Sequence, residues 1–216
     1  LMLQNGDGIP MNKEEAIKYY KMAIDKDETN AMYNLAVSLD EGDGVPVDKE
    51  EAMKYHKIAA DKGYSIAMNC YAFMVDEGDG VPVNKEEAIK YYKMAIEKGN
   101  ASAMSNYAYM LAHGDSVPVD KEEAAKLYKL SADNGNVSSM NTYALMVSEG
   151  DGIPSNKEEA VKYFKMAADK GNVDSMSNYA YFAENGIGMN ASKRMATKYY
   201  KMAADKGDSN SMYDYA

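Results

Sequence analysis

The segment that decides the fold runs from residue 77 to residue 99 and reads EGDGVPVNKEEAIKYYKMAIEKG. It contains a glycine-rich loop, a proline, a polar residue that can cap a helix, and a helical stretch that closes on a glycine. Asn84 can accept a hydrogen bond at the start of the helix. Glu87 follows three residues later, which is the spacing of a capping box. The segment therefore predicts a loop followed by one capped helix that ends before Gly99.

The same segment recurs along the chain with a period of 36 residues. All five prolines occupy one position of this period: Pro10, Pro46, Pro82, Pro118 and Pro154. All 16 glycines fall on three further positions, those of Gly78, Gly80 and Gly99. The length of 216 residues accommodates six periods without a remainder. A constant period of this size is typical of repeat proteins that stack one supersecondary unit on the next.

Each period also predicts a second helix, which in the third period lies between Gly99 and Gly114. Met104, Tyr107 and Leu111 place apolar side chains on one helical face. Alanines recur at fixed positions of both helices, and such small side chains let two helix backbones approach closely. We therefore predict an all-α solenoid of antiparallel helix pairs. The whole range 1–216 is expected to form a single solenoid of six periods that starts and ends inside a helix, as an excerpt of a longer chain would.

The repeated residues resemble the Sel-one-like repeat (SLR) family, which is related to the tetratricopeptide repeat. The resemblance rests on the loop that starts at Glu77, on Lys85-Glu-Glu-Ala88, on Tyr91-Tyr92-Lys93-Met94-Ala95 and on Gly99. It implies a right-handed α-α superhelix and a role as an adaptor or assembly scaffold. The last period departs from the pattern, since it lacks the proline and has Met195 at the position of the capping glutamate.

Composition excludes several classes of function. The net charge of -10 and the absence of a basic stripe argue against nucleic acid as a partner. No apolar run is long enough to insert into a membrane. A single cysteine, Cys70, excludes an intrachain disulfide framework. We expect a cytoplasmic location, with the endoplasmic reticulum lumen or secretion as alternatives.

The sequence contains no recognisable catalytic, metal or cofactor site. We expect His56 to be a packed substitute for the aromatic residue of other periods, and His113 to be solvated. Neither histidine has a partner at metal-ligand spacing. The Gly-Asp-Gly loops offer too few oxygen ligands for calcium and are interpreted as turns. We therefore predict no enzyme activity, no cofactor and no metal.

The second helices carry positions that vary between periods beside positions that stay fixed. These lie one, five, eight and nine residues after a methionine column that includes Met68 and Met104, and Asp76 and Ser148 are among them. In solenoids of this kind such helices line a concave groove. The predicted partner-binding residues are Asn69, Phe73, Glu77, Ser105, Tyr109, His113, Asn141, Leu145, Ser177 and Tyr181.

Two interpretations of these positions stay open. Aromatic anchors with a polar rim are typical of surfaces that bind a protein or peptide, here one with some basic character. The same variation could instead be unselected drift of an exposed surface. An alternative function is a structural module that stacks end to end with other copies or spaces the domains of a larger protein.

Overall fold

The computed structural model describes residues 12–216, and in that range it contains twelve α-helices. The predicted helix tail over residues 1–5 and the loop around Pro10 lie outside the described residues. The helices are α1 (Lys13–Ile24), α2 (Thr29–Glu41), α3 (Lys49–Asp61), α4 (Ser65–Glu77), α5 (Lys85–Glu97), α6 (Ala101–His113), α7 (Lys121–Asp133), α8 (Val137–Glu149), α9 (Lys157–Asp169), α10 (Val173–Asn185), α11 (Lys193–Ala204) and α12 (Ser209–Tyr215).

The odd-numbered helices begin where the capping pattern places them. The Asn84 side chain accepts a hydrogen bond from the main-chain nitrogen of Glu87 at 3.1 Å. In α11 the cap is Ser192, which accepts from the nitrogen of Met195, so the cap survives although the glutamate is missing. The predicted helix starts are thus confirmed. The cap residues are Asn12, Asp48, Asn84, Asp120, Asn156 and Ser192.

Helix ends fall at the glycine positions because those positions require a left-handed backbone. Gly78 ends α4 with φ of 74°, and Gly99 follows α5 with φ of 78°. Two periods have another residue at a glycine position, namely Asp27 and Ser116. These are the two residues other than glycine with positive φ in the described chain, at 67° and 60°. The backbone conformation therefore belongs to the repeat position, even where glycine is absent.

Gly80 meets a second requirement, which is close packing of the loop on an earlier helix. A Cβ atom at Gly80 would lie 2.3 Å from Cβ of Lys49 at the start of α3. A Cβ atom at Gly99 would have no atom within 4 Å. The glycine-rich loop after α4 is thus fitted against the start of α3, and a side chain at Gly80 would force Lys49 to shift.

The chain forms two compact units, Leu1–Ala103 and Met104–Ala216, with the boundary inside α6. Within each unit consecutive helices pack against one another. The core of the first unit includes Leu35 and Leu39 of α2 and Met74 of α4. The core of the second includes Met140, Tyr163 and Phe164.

The recurring alanines, which the sequence predicts to be contact points between helices, lie in the core. They are fully buried in both kinds of helix: Ala36, Ala52, Ala72, Ala88, Ala108, Ala124, Ala144, Ala160 and Ala180. A larger side chain at such a position would separate the two backbones. The described chain is therefore an all-α repeat fold with the predicted 36-residue period.

Candidate partner-binding surface

Four predicted residues of the even-numbered helices are exposed at one repeat position, and we call this set the apolar column: Phe73 in the first unit, and Tyr109, Leu145 and Tyr181 in the second. Their exposed fractions are 47%, 55%, 37% and 52%. Each lies five residues after a methionine that is nearly fully buried. The helical period therefore turns the methionine into the core and the apolar column towards solvent.

The polar residues one position after the methionine are half-buried, and in the second unit they join neighbouring even-numbered helices. Asn141 of α8 accepts a hydrogen bond from Ser175 Oγ of α10 at 2.7 Å. Ser177 Oγ of α10 lies 2.7 Å from Ser211 Oγ of α12 and donates to Asp208 at 3.0 Å. These two predicted binding residues thus contribute to packing between periods. Asn69 and Ser105 are half-buried in the same way.

The residues nine positions after the methionine are exposed and share a face with the apolar column. Glu77 lies one helical turn after Phe73, and His113 lies one turn after Tyr109. The rings of Tyr109 and His113 stack with centroids 4.1 Å apart, and His113 Nδ1 is 2.9 Å from the carbonyl oxygen of Tyr109. The expected solvation of His113 is confirmed.

The expectation that position eight is also free of the core is wrong for Asp76 and Ser148, whereas Glu184 at this position is exposed. Asp76 and Ser148 are buried, with 8% and 6% exposed. The Tyr92 hydroxyl of α5 donates to Asp76 at 3.3 Å, and Lys85 Nζ lies 2.8 Å from the same carboxylate. Lys157 Nζ donates to the carbonyl oxygen of Ser148 at 2.6 Å. This position faces the next odd-numbered helix, whose first lysine reaches back over it.

Sequence reasoning missed a polar cluster that connects three helices within the first unit. Lys57 Nζ of α3 donates to Glu87 of α5 at 2.7 Å and to the Tyr71 hydroxyl of α4 at 3.1 Å. The Tyr91 hydroxyl of α5 donates to Asp61 of α3 at 2.5 Å. Burial opposes the charge on Lys57, but these hydrogen bonds outweigh it and raise the pKa of the lysine.

The second unit repeats this cluster. Lys129 donates to Glu159 at 3.0 Å and to Tyr163 at 2.6 Å, and Tyr163 donates to Asp133 at 2.6 Å. Burial, and then the hydrogen bond with Glu159, raises the pKa of Tyr143 to about 12. The sequence feature that could have predicted this cluster is the constant spacing of 30 residues between each lysine and the glutamate of the next period. Its recurrence indicates packing rather than a unique reactive site.

His56 and Cys70 are held in their neutral forms at neutral pH. His56 is 3% exposed and packs against Tyr33 with ring centroids 5.7 Å apart, which confirms the predicted aromatic substitution. Burial lowers the pKa of His56 to about 4. Burial also raises the pKa of the Cys70 thiol to about 11. Neither group is therefore prepared as a base or a nucleophile.

Cavities in the described structure follow the repeat. One of about 510 Å³ lies against the loop after α4 and is lined by Tyr71, Val75 and Pro82. A second, of about 630 Å³, is lined by the equivalent residues Tyr143, Val147 and Pro154. Both are grooves between a loop and its flanking helices, and neither contains a residue set unique to one period.

No three His, Cys, Asp or Glu residues in the range 12–216 form a group that could hold a metal ion. No helix within it has the length and apolar character needed to cross a membrane.

Comparison with known proteins places the repeats in a family. The model described as "Sel1 repeat" matches residues 1–28, 29–64, 65–100, 101–136, 137–172 and 173–208. No match was found among curated proteins.

Solved structures share this fold. A protective antigen of uropathogenic Escherichia coli, which displays an SLR fold, is 27% identical with a TM-score of 0.91 over 99% of this chain. This chain spans 46% of that antigen. A Sel1 repeat protein from Oxalobacter formigenes is 28% identical with a TM-score of 0.89, covering 95% of this chain and 84% of the other. An immunity protein of Pseudomonas aeruginosa, 15% identical with a TM-score of 0.57 over 88% of this chain and 72% of its own, shares the fold alone. With six matched repeats, the chain belongs to the Sel1 repeat family.

Proposed function

We propose that this chain is a scaffold whose even-numbered helices bind a segment of a partner protein through the apolar column. Sel1 repeats generally serve as non-catalytic scaffolds for protein interactions. The observation that carries the proposal is the apolar column itself. Four large apolar side chains, three of them aromatic, stand 37–55% exposed at one repeat position.

Aromatic side chains suit this role because they bury a large area at a small cost in side-chain entropy. Tyrosine also keeps a hydroxyl group that can bond to a partner main chain. The odd-numbered helices expose apolar residues too, including Met22, Ile58 and Leu130, but those stand among lysines and glutamates of the same helices. The even-numbered helices offer a less interrupted apolar surface.

The experiment compares two triple-alanine variants. Phe73, Tyr109 and Tyr181 are replaced by alanine in the first, and Tyr19, Ile58 and Leu130 in the second. The control residues lie on odd-numbered helices and are 53%, 42% and 45% exposed. Both variants should keep the helical circular dichroism of the natural chain, since surface truncations of this kind cost little stability.

Partner capture from source lysate should then separate the two variants. We expect the natural chain and the control to retain the same proteins, and the apolar-column variant to retain at least about tenfold less, as loss of anchor residues predicts. Equal capture by the two variants would show that the apolar column is not the binding surface.

End-to-end self-association is a second candidate function. In a stack of like repeats, a second copy would pack on a terminal helix as one period packs on the next. Sedimentation velocity should then show an average mass that rises with concentration, and a constant monomer mass would exclude self-stacking for residues 1–216.

A further inference from the structure

We infer that the partner segment bound by the even-numbered helices is basic, with arginine or lysine side chains seated beside the apolar column. This inference rests on the proposed function, because it specifies the chemistry of the same surface. It requires that the surface be negative, that its carboxylates be available, and that they lie within reach of the apolar column.

Charge is segregated between the two kinds of helix. None of the 24 lysine and arginine residues lies within α2, α4, α6, α8, α10 or α12. Those helices nevertheless contain carboxylates, among them Asp40, Glu41, Glu77, Glu149 and Glu184. All the fixed charges that the even-numbered helices contribute are therefore negative, and a cationic segment would experience attraction along them.

Two carboxylates at position eight are paired with lysines of the next helix, whereas Glu184 at that position is exposed and accepts a hydrogen bond from the Tyr200 hydroxyl. Asp40 accepts a hydrogen bond from Lys49 Nζ at 2.6 Å, and Asp76 pairs with Lys85 at 2.8 Å. These contacts fix the starts of α3 and α5 against α2 and α4. They leave little charge at Asp40 and Asp76 for a partner.

The carboxylates at position nine remain available. Glu77 and Glu149 are exposed, and no ion pair within the described residues joins either one to a lysine or arginine. Each ends an even-numbered helix, where the partial negative charge of the helix terminus adds to the carboxylate. A cation placed there meets an unneutralised negative site.

The same carboxylates stand one helical turn from the apolar column. Glu77 follows Phe73 by four residues, and Glu149 follows Leu145 by four, so each pair shares a helical face. A guanidinium group can pack its plane on an aromatic ring while its edge pairs with a carboxylate. Phe73 with Glu77 offers both contacts on adjacent turns. Neutral or acidic segments could use only the apolar part of this surface.

The test measures binding of three fluorescein-labelled twelve-residue peptides by anisotropy. One alternates arginine with serine, one glutamine with serine, and one glutamate with serine. We expect binding of the arginine peptide alone, weakening as salt is raised because exposed charges are screened.

Two charge-matched variants separate a site from general attraction to an acidic protein. Glu77→Gln with Glu149→Gln removes two charges from the even-numbered helices. Glu86→Gln with Glu158→Gln removes two exposed charges from the odd-numbered helices. We expect the first variant to weaken arginine-peptide binding by about fivefold or more, and the second by less than about twofold.

Equal weakening by the two variants, or equal binding of the arginine and glutamine peptides, would overturn the inference. Its failure is distinguishable from that of the proposed function. If the apolar-column variant still loses its protein partner while the charge variants behave alike, the surface binds proteins without selecting basic segments. If the apolar-column variant keeps its partner, the surface itself is not the site.

Discussion

His56 occupies the repeat position at which Tyr92, Tyr128 and Tyr200 stand in other periods. Its ring is buried, and its Nδ1 atom has no hydrogen-bond partner among the described residues. Tyr92 at the equivalent position donates to Asp76, and Asp40 stands at the corresponding place opposite His56. Burial prevails over the attraction of Asp40, so the imidazole stays neutral in the folded chain.

The pKa of His56 predicts a pH dependence of stability. Above pH 6.5 the imidazole is neutral in both folded and unfolded chains. Between pH 6.5 and about 4 the His56 imidazole binds a proton in the unfolded chain but not in the folded chain. This residue therefore lowers the free energy of unfolding as the pH falls. The loss should reach roughly 2 kcal/mol at pH 5.

His56→Tyr tests this dependence at the position where tyrosine is the usual residue. Urea unfolding should show that the variant gains about 2 kcal/mol more over the natural chain at pH 5 than at pH 7.5. Measuring both chains at both pH values cancels the carboxylates that they share. A gain that is the same at both pH values would mean that His56 does not titrate as burial predicts.

At the scale of the helix, the polar cluster ties α3, α4 and α5 together in the first unit and recurs in the second. Glu87 and Glu159 therefore have two roles. The main-chain nitrogen of each donates to the cap residue of its helix, and the carboxylate of each accepts hydrogen bonds from a lysine and a tyrosine. In α11 the corresponding residue is Met195, and the Tyr179 hydroxyl lies 3.4 Å from its sulfur. The last period thus lacks the carboxylate of the cluster.

Met195→Glu should restore this cluster. The new carboxylate would lie near the Tyr179 hydroxyl and Lys165, and it would also follow the cap residue Ser192 at capping-box spacing. We expect an increase of roughly 1 kcal/mol in the free energy of unfolding, because the groups are partly exposed. Glu159→Met is the reverse control and should lose a similar amount. Destabilisation by both changes would contradict a shared role for this position.

At the scale of the whole molecule, the repeat makes stability local. Each helix packs on its neighbours in sequence within its unit, so the free energy is close to a sum over neighbouring periods. A defect in one period should therefore be felt most strongly in the periods beside it.

Leu35→Ala tests this locality in the first unit, where Leu35 is fully buried. The cavity should cost roughly 2–5 kcal/mol. Native-state hydrogen exchange should show a larger loss of protection in α1–α4 than in α8–α10. Val147→Ala in the second unit is the reciprocal variant and should reverse the pattern. Uniform loss across all helices in both variants would indicate one cooperative fold instead.

The sequence by itself determined the period, the helices, their caps and the buried alanines. These features are local, because a cap involves atoms three residues apart and a left-handed glycine follows from its own backbone. These features recur along the chain, so the sequence shows each pattern several times. The exposed apolar column was also predicted from the sequence, since it follows from the helical period once the buried methionines are recognised.

Tertiary structure alone decided which of the variable positions are contacted by neighbouring helices. Position eight looked exposed from helical spacing, yet Lys85 and Tyr92 cover Asp76 from the next helix. Asn141, predicted to contribute to partner binding, accepts a hydrogen bond from Ser175 of the next even-numbered helix. The apolar periodicity along one helix indicates only which side of that helix is buried. Contacts across 16 to 34 residues depend on how side chains of adjacent helices meet, and only the packed structure determines that.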